Sequence, residues 1–571
     1  MSTNLTRRQL LGAALFAGAG LSLPGFLPAW ARNGTPGLGP ALPTQNGEDI
    51  ALSVGHSRFT VGGRTAHAVT INGTLPAPLI RLRQGQTVRI AVTNTLDEDT
   101  SIHWHGVLLP FHMDGVPGVS FPGIGPGETF VYEFPVRHAG TFWYHSHSNL
   151  QEQLGHYGPL ILDPAGRDPV QYDREHVIVL SDWSFMHPHQ IMQKLKKDPG
   201  YFNNQRHTLA GLTGEGDPEE QMPFAERMMW RRMRMDPTDI ADVTGSTYTY
   251  LVNGHGPLEN WTALFRPNER VRLRVINASA MTVFNVRIPG LPMTVVNADG
   301  NDVRPVEVDE FQISVAETYD VIVLPEDDRA FTLVAESVDR SAMARATLAP
   351  RPGMTADVPE LRPRPTLSMS HTGMHSTGGS QHGTGADHQS MPGPVGNVAM
   401  GPGVDMMAMN IGDAAGRRGL GLENVGHRVL VYTDLVALRP NSDTRHPSRS
   451  LEIHLTGNME RFMWSFDGRK FNEIVEPIRF ARDERVRVTL VNDTMMQHPI
   501  HLHGHFFEVV NGHTGHHPMK HTVNVLPGGR ITFDLTADNP GDWAFHCHLL
   551  YHMHAGMFNV VTVRPLDGTA T

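Results

Sequence analysis

A single cysteine stands among the 571 residues of the chain. Cys547 lies between His546 and His548, with His552 five residues on and Met557 ten residues on. Thiolate, imidazole and a weaker thioether make the donor set of a blue-copper electron-transfer centre. The two flanking histidines point the other way, toward a second metal site only a few covalent bonds from the cysteine. Three further pairs complete the pattern: His103-Trp104-His105-Gly106, His145-Ser146-His147 and His501-Leu502-His503-Gly504, the last preceded by His498. On a strand, residues i and i+2 share a face, so each pair presents two imidazoles to one space. Four pairs supply eight imidazoles, and His498 and His552 are left to join Cys547 and Met557. Eight suit three coppers, two on one and three on each of the others. One His-x-His is common on surface strands. Four of them, two followed by glycine and one bracketing the only cysteine, imply an oxidase that carries copper.

The elements that must position these residues repeat. Thr87-Val-Arg-Ile-Ala-Val-Thr-Asn94, Arg270-Val-Arg-Leu-Arg-Val-Ile-Asn277 and Arg485-Val-Arg-Val-Thr-Leu-Val-Asn492 are one strand pattern three times, with period-2 alternation before a turn-forming Asn. His103 follows Asn94 by nine residues and His501 follows Asn492 by nine, whereas the middle copy has Val286 at that offset. Gly140–His147 aligns with Gly541–His548, setting Ser146 against Cys547, and Thr100 falls opposite His498. The electron-entry site therefore belongs to the third copy alone. The imidazole pairs come equally from the first and third copies, which places their cluster at the interface between the two and leaves the middle copy structural.

Short alternating strands with Gly- and Pro-rich turns predict an all-β chain of three cupredoxin-like antiparallel β-sandwich domains. The expected boundaries are residues 40–165, 166–350 and 425–565. Residues 351–424 read as a mobile Met/His-rich linker, and a helical segment is expected around 219–233. Residues 1–31 read as an export leader, with Arg7-Arg8, an apolar stretch and Ala29-Trp30-Ala31. The twin arginine marks the Tat route and a bacterial periplasm. That compartment permits disulfides, but one cysteine cannot form one within the chain and stays free for metal. No further long apolar run suggests a membrane anchor, and a net charge of −11 without a basic stripe argues against nucleic acid.

On these motifs the chain resembles the multicopper oxidases, and closely their CopA/PcoA copper-resistance branch. The branch likeness extends to the segment Arg232–Gly245 and to the leader. The resemblance implies four copper ions. The type 1 copper would take His498, Cys547, His552 and axial Met557, and the type 2 copper His103 and His501. One type 3 copper would take His105, His145 and His546, the other His147, His503 and His548. It further implies that electrons enter at Cys547 and that O₂ is reduced to water at the other three. Two-domain copper nitrite reductases fit poorly, since they need no eight imidazoles. Reducing O₂ consumes protons. Asp114, in Met113-Asp-Gly-Val-Pro117, matches the acid near the type 2 copper of relatives. The second acid that relatives carry soon after the type 1 histidine is missing from His552-Met-His-Ala555, which leaves His554 or another acid for that role.

Methionine is the clue to substrate. Seven methionines (369, 374, 391, 400, 406, 407 and 409) and four histidines (371, 375, 382 and 388) fall within residues 369–409, while the whole chain has 27 methionines. Met222, Met228, Met229, Met233 and Met235 form a second group, and His513–His521 a third candidate loop. Soft thioethers suit Cu(I). The expected activity is oxidation of Cu(I), with O₂ as co-substrate, periplasmic copper carriers as candidate partners and copper resistance as the result. Oxidation of phenols and copper sequestration are the alternatives.

Overall fold

The structure is a computed structural model that describes residues 42–204, 222, 224–373, 398 and 400–565. The expected leader, and Met374, His375, His382, His388 and Met391 of the Met/His-rich tract, lie outside the described residues. No helix among the described residues is long and apolar enough to cross a membrane.

Six sheets form three sequence-contiguous pairs. The first pair draws on strands between Thr44 and Asp163, the second on strands between Arg174 and Ala349, and the third chiefly on strands between Arg449 and Arg564. Antiparallel neighbours predominate, but each sandwich also holds parallel pairs, such as Asp49–Val54 beside Arg89–Asn94 and Arg449–Leu455 beside Val486–Asn492. Period-2 alternation produces the first sandwich directly: in Asp49–Val61 buried and open positions alternate over the first half of the strand. Strands of the middle domain are buried on both faces, as in Val271–Asn277, because neighbouring domains cover what would be a solvent face.

The threefold repeat has a common purpose. Asn94, Asn277 and Asn492 end equivalent strands and are fully buried. Each amide donates to two loop carbonyls: those of Glu98 and Ile124, of Thr282 and Ile313, and of Met496 and Val525. Each side-chain oxygen accepts the backbone N–H two residues on. In domains one and three this staple fixes the loop entering the His-x-His strand.

The helix expected around 219–233 spans Phe224–Met233 among the described residues, and a second helix covers Pro188–Lys197. The expected mobile linker needs correction for its described part. Leu367, Met369, Val404, Met406, Ala408 and Leu422 are buried, and Gly412–Asp413 adds a short parallel strand to the third domain. Apolar residues spaced among Gly and Pro find grooves on existing sheets, an outcome that composition does not reveal.

Candidate metal centre

Strands His103–His105 and Gly140–His145 are hydrogen-bonded neighbours in domain one, as are His498–Leu502 and Gly541–Cys547 in domain three. Side-chain parity then aims His103, His105, His145, His147, His501, His503, His546 and His548 into one space between the domains. Seven of the eight are buried and His147 nearly so. The glycines after the first and third pairs have a physical reason. Gly106 and Gly504 adopt left-handed φ (+77° and +67°), and a Cβ would lie 2.6 Å from the His521 ring or 2.3 Å from Trp543.

Ligand atoms gather within 4.8 Å in three sets: His103, His105 and His501; His105, His145 and His548; His147, His503 and His546. The last two correct the resemblance-based partition, which put His546 with His105 and His145. The pairs His145/His147 and His546/His548 approach from facing domains in opposite sense, so the first imidazole of one meets the second of the other. The His145 and His548 rings are 5.0 Å apart, those of His147 and His546 5.1 Å.

The outer nitrogens are held. His103 Nδ1 lies 2.8 Å from the Asp114 carbonyl and His501 Nδ1 2.8 Å from the His521 carbonyl. His503 Nδ1 donates to Asp114 Oδ2 at 2.9 Å, and His145 Nδ1 reaches Glu152 Oε2 at 2.8 Å. Such bonds fix the tautomer and aim the other nitrogen inward. His103 Nε2, His105 Nδ1, His145 Nε2, His147 Nε2, His501 Nε2 and His548 Nε2 are all buried without a hydrogen-bond partner. Six stranded nitrogens converging on one space would be costly if nothing bound them. Burial, then neighbouring imidazoles, hold the pKa of His105, His145 and His147 well below the usual value, and burial takes His546 down to about 4. Neutral imidazole is the ligating form, so the donor set fits copper.

The second site lies in domain three. Cys547 Sγ is 3.6 Å from His498 Nδ1 and 3.8 Å from His552 Nδ1, and the two nitrogens are 3.2 Å apart. Met557 is buried beside them in sequence space, its carbonyl accepting the Cys547 N–H. Burial pushes the Cys547 thiol up, as expected where only a soft cation would draw off its proton. Thr494 Oγ1 lies 2.7 Å from His498 Nε2, and Trp464 stacks on His552 at 3.9 Å. In domain one the same offsets carry Thr100, Ser146, Gln151 and His156. Thr100 and Ser146 both donate to Gln151 Oε1, filling the equivalent pocket with hydrogen bonds in place of metal donors.

Family models described as multicopper oxidase match residues 53–167, 174–352 and 444–567. The chain belongs to the multicopper oxidases. It is 47% identical to a copper resistance protein A homolog of Pseudomonas syringae pv. tomato, with 99% of this chain and 100% of the relative covered. Copper resistance protein A of Escherichia coli is 45% identical over 99% and 100%, and multicopper oxidase MmcO of Mycobacterium tuberculosis 32% over 97% and 95%. This multicopper oxidase thus groups with the copper-resistance branch. Its fold matches a multicopper oxidase from Campylobacter jejuni (TM-score 0.61, 19% identity, 96% and 99% covered) and a laccase from Botrytis aclada (0.62, 22%, 92% and 88%).

Two acids escaped the sequence reading. Glu152 is buried against His145, and burial together with Asp182 pushes its carboxyl well above the usual range. It stands beside the cluster as a candidate for the second acid, whereas His554 is exposed on its helix. Asp242 Oδ2 bonds His552 Nε2 at 2.7 Å across 310 residues of chain. Asp242 lies in the Arg232–Gly245 segment already singled out and Glu152 five residues after His147, but neither has a spacing signature.

Proposed function

We propose that the protein oxidises Cu(I) to Cu(II) at the Cys547 site and delivers the electrons to O₂ at the eight-imidazole site, conferring copper resistance. His498, Cys547, His552 and Met557 would hold the type 1 ion and His103 with His501 the type 2 ion. The type 3 ions would fall to His105, His145 and His548 and to His147, His503 and His546. Bound copper supplies one-electron exchange at the thiolate and four-electron reduction of O₂ to water at the imidazoles. Asp114 orients His103 and His503. Glu152, whose buried setting favours the neutral acid, would carry its proton on Oε1, the oxygen not used by His145 Nδ1, beside the cluster for the reduction of O₂. The leader assigns the work to a periplasm reached by the Tat route, where copper carriers are candidate donors.

One observation carries the choice of Cu(I). A cavity of about 340 Å³ is lined by Met235, Met459 and Met495 with Asp236, Asp239 and the Arg234–Glu460 pair. Asp239, in the cavity wall, lies three residues before Asp242, whose carboxylate bonds His552 Nε2 at 2.7 Å, so one segment links the soft donors and carboxylates to the electron-entry imidazole. A phenol-oxidising reading draws on a larger cavity of about 720 Å³, where Met553, Ala555 and Gly556 from the His552 helix meet Phe471 and Phe558. O₂ uptake by copper-loaded protein, with buffered Cu(I) and a simple phenol in parallel, separates the two. Saturable turnover on Cu(I), with Met459→Leu raising KM for Cu(I) alone, is the expected result. Faster turnover on phenol, indifferent to Met459, would establish the other.

A further inference from the structure

The middle domain contributes no imidazole, yet one hairpin tip touches both halves of the cluster. Strands Met293–Ala298 and Asn301–Val308 turn through Asp299 and Gly300. Asp299 is completely buried. Its Oδ2 accepts the backbone N–H groups of His521 at 3.3 Å and Thr522 at 3.2 Å, and pairs with Lys520 Nζ at 3.0 Å. These are the residues that steer domain three's imidazoles. The His521 carbonyl lies 2.8 Å from His501 Nδ1, and its ring nitrogen Nδ1 is 3.2 Å from His105 Nε2.

The other side of the tip faces domain one. Thr318 donates its N–H to Asp299 Oδ1 and its hydroxyl to the carbonyl of Thr141, both at 3.0 Å. Thr141 lies in the strand that carries His145. Gly300, at φ +74°, presses bare backbone against Phe142 of that strand; a Cβ would fall 2.0 Å from the ring. Lys520 is buried and also pairs with Glu317 at 3.1 Å, so the charge under the tip is compensated only while both carboxylates stay in place. A turn that merely reversed the chain would need neither a buried carboxylate on one side nor an absent side chain on the other.

We propose that Asp299 and Gly300 are positioning residues for the copper cluster: this hairpin tip sets the spacing between the His145 strand of domain one and the segment that orients His501 in domain three. The inference rests on the imidazoles holding copper as proposed above, but not on the identity of the electron donor.

Asp299→Asn and Gly300→Ala test it in the copper-loaded full chain. Gly290→Ala is the control, since Gly290 has the same left-handed φ (+76°) in the same domain and only Arg329 at 3.5 Å. Three signals are read: the blue absorbance of the Cys547 site, the type 2 electron paramagnetic resonance spectrum, and the rate at which a chelator removes cluster copper. The expected result is retained blue absorbance, a shifted type 2 spectrum and release about tenfold faster in both variants, with the control matching wild type. A wild-type spectrum and release rate in both variants would overturn the proposal, as would folded variants in which the blue absorbance and the type 2 signal fall equally. If Gly300→Ala does not fold, Asp299→Asn and Thr318→Val decide the matter by the same readouts. A wild-type protein with no type 2 signal would overturn the reading of the cluster, and the inference with it.

Discussion

At the scale of residues, the gathering of the candidate ligands was legible because metal donors carry a spacing that strand parity enforces, and because one cysteine leaves no choice of thiolate. Cys547→Ser removes the soft donor while leaving the hydroxyl in nearly the same place, as Ser146 does in domain one. Loss of the blue absorbance, one fewer copper ion per chain and turnover at background are the expected outcomes, read by absorption, metal analysis and O₂ uptake. Wild-type turnover would remove Cys547 from electron entry. Of the acids Asp114 was legible, but Glu152 and Asp242 were not. Asp242 reaches His552 from 310 residues away, and Glu152 reaches His145 through a short 3-10 turn whose sequence, Glu-Gln-Leu, is unremarkable. Their roles separate by kinetics. Glu152→Gln keeps the shape but cannot give up a carboxyl proton, so O₂ uptake should fall about a hundredfold. Anaerobic bleaching of the blue colour by Cu(I) should continue at the wild-type rate. Slowed bleaching would place Glu152 in electron entry instead.

At the scale of elements, the repeated strand ending in Asn was visible in sequence, but what the Asn does was not. Its two donated bonds and one accepted bond tie a strand end to the loop that follows. Asn492→Ala strands the carbonyls of Met496 and Val525 and loses the bonds from the Thr494 N–H and hydroxyl, so a loss of about 3–4 kcal/mol is expected at roughly 1 kcal/mol for each bond. Asn277→Ala should cost as much by denaturant unfolding. Only the Asn492 change should shift the blue absorption band, because its loop leads to His498. The linker shows the opposite failure: composition predicted mobility, whereas Ala408 N donates to Asp493 Oδ1 and Asp493 Oδ2 pairs with His454 Nδ1 at 2.6 Å. Asp493, Asp467 and Glu452 surround His454, and the bond to Asp493 raises its pKa above 6.5 despite burial. A raised folded value means stability fully present below the unfolded value and lost as pH climbs through the folded one. The protection of residues 404–409 against hydrogen exchange, taken relative to the intrinsic base-catalysed rate, should therefore fall as pH rises beyond neutrality, and His454→Gln should flatten that dependence. An unchanged pH profile in the variant would show that another group anchors the segment.

At the scale of the whole molecule, three sandwiches follow from alternation and turns, but the way they grip one another depends on contacts hundreds of residues apart. Arg272 and Arg274 share Asp320, and Arg274 also reaches Thr141 of domain one at 2.9 Å, so buried charge joins the first two domains. Between domains one and three the imidazole cluster is one joint beside contacts such as Asn539 Nδ2 to the Leu109 carbonyl and Phe111 against Trp543. His103, His105, His145 and His147 come from one side and His501, His503, His546 and His548 from the other, and six of the eight leave a buried nitrogen unpartnered unless metal binds. Copper that binds only the folded arrangement stabilises it by mass action, and its site exists only while both domains are docked. The loaded protein should thus unfold in one calorimetric transition spanning domains one and three. Stripping the metal should lower that transition and separate the two domains, while Cys547→Ser, which empties a site within domain three alone, should lower it without splitting it. A metal-free protein that still melts as a single unit would mean that the protein contacts across the interface, the Asp299 hairpin among them, hold the halves together before copper arrives.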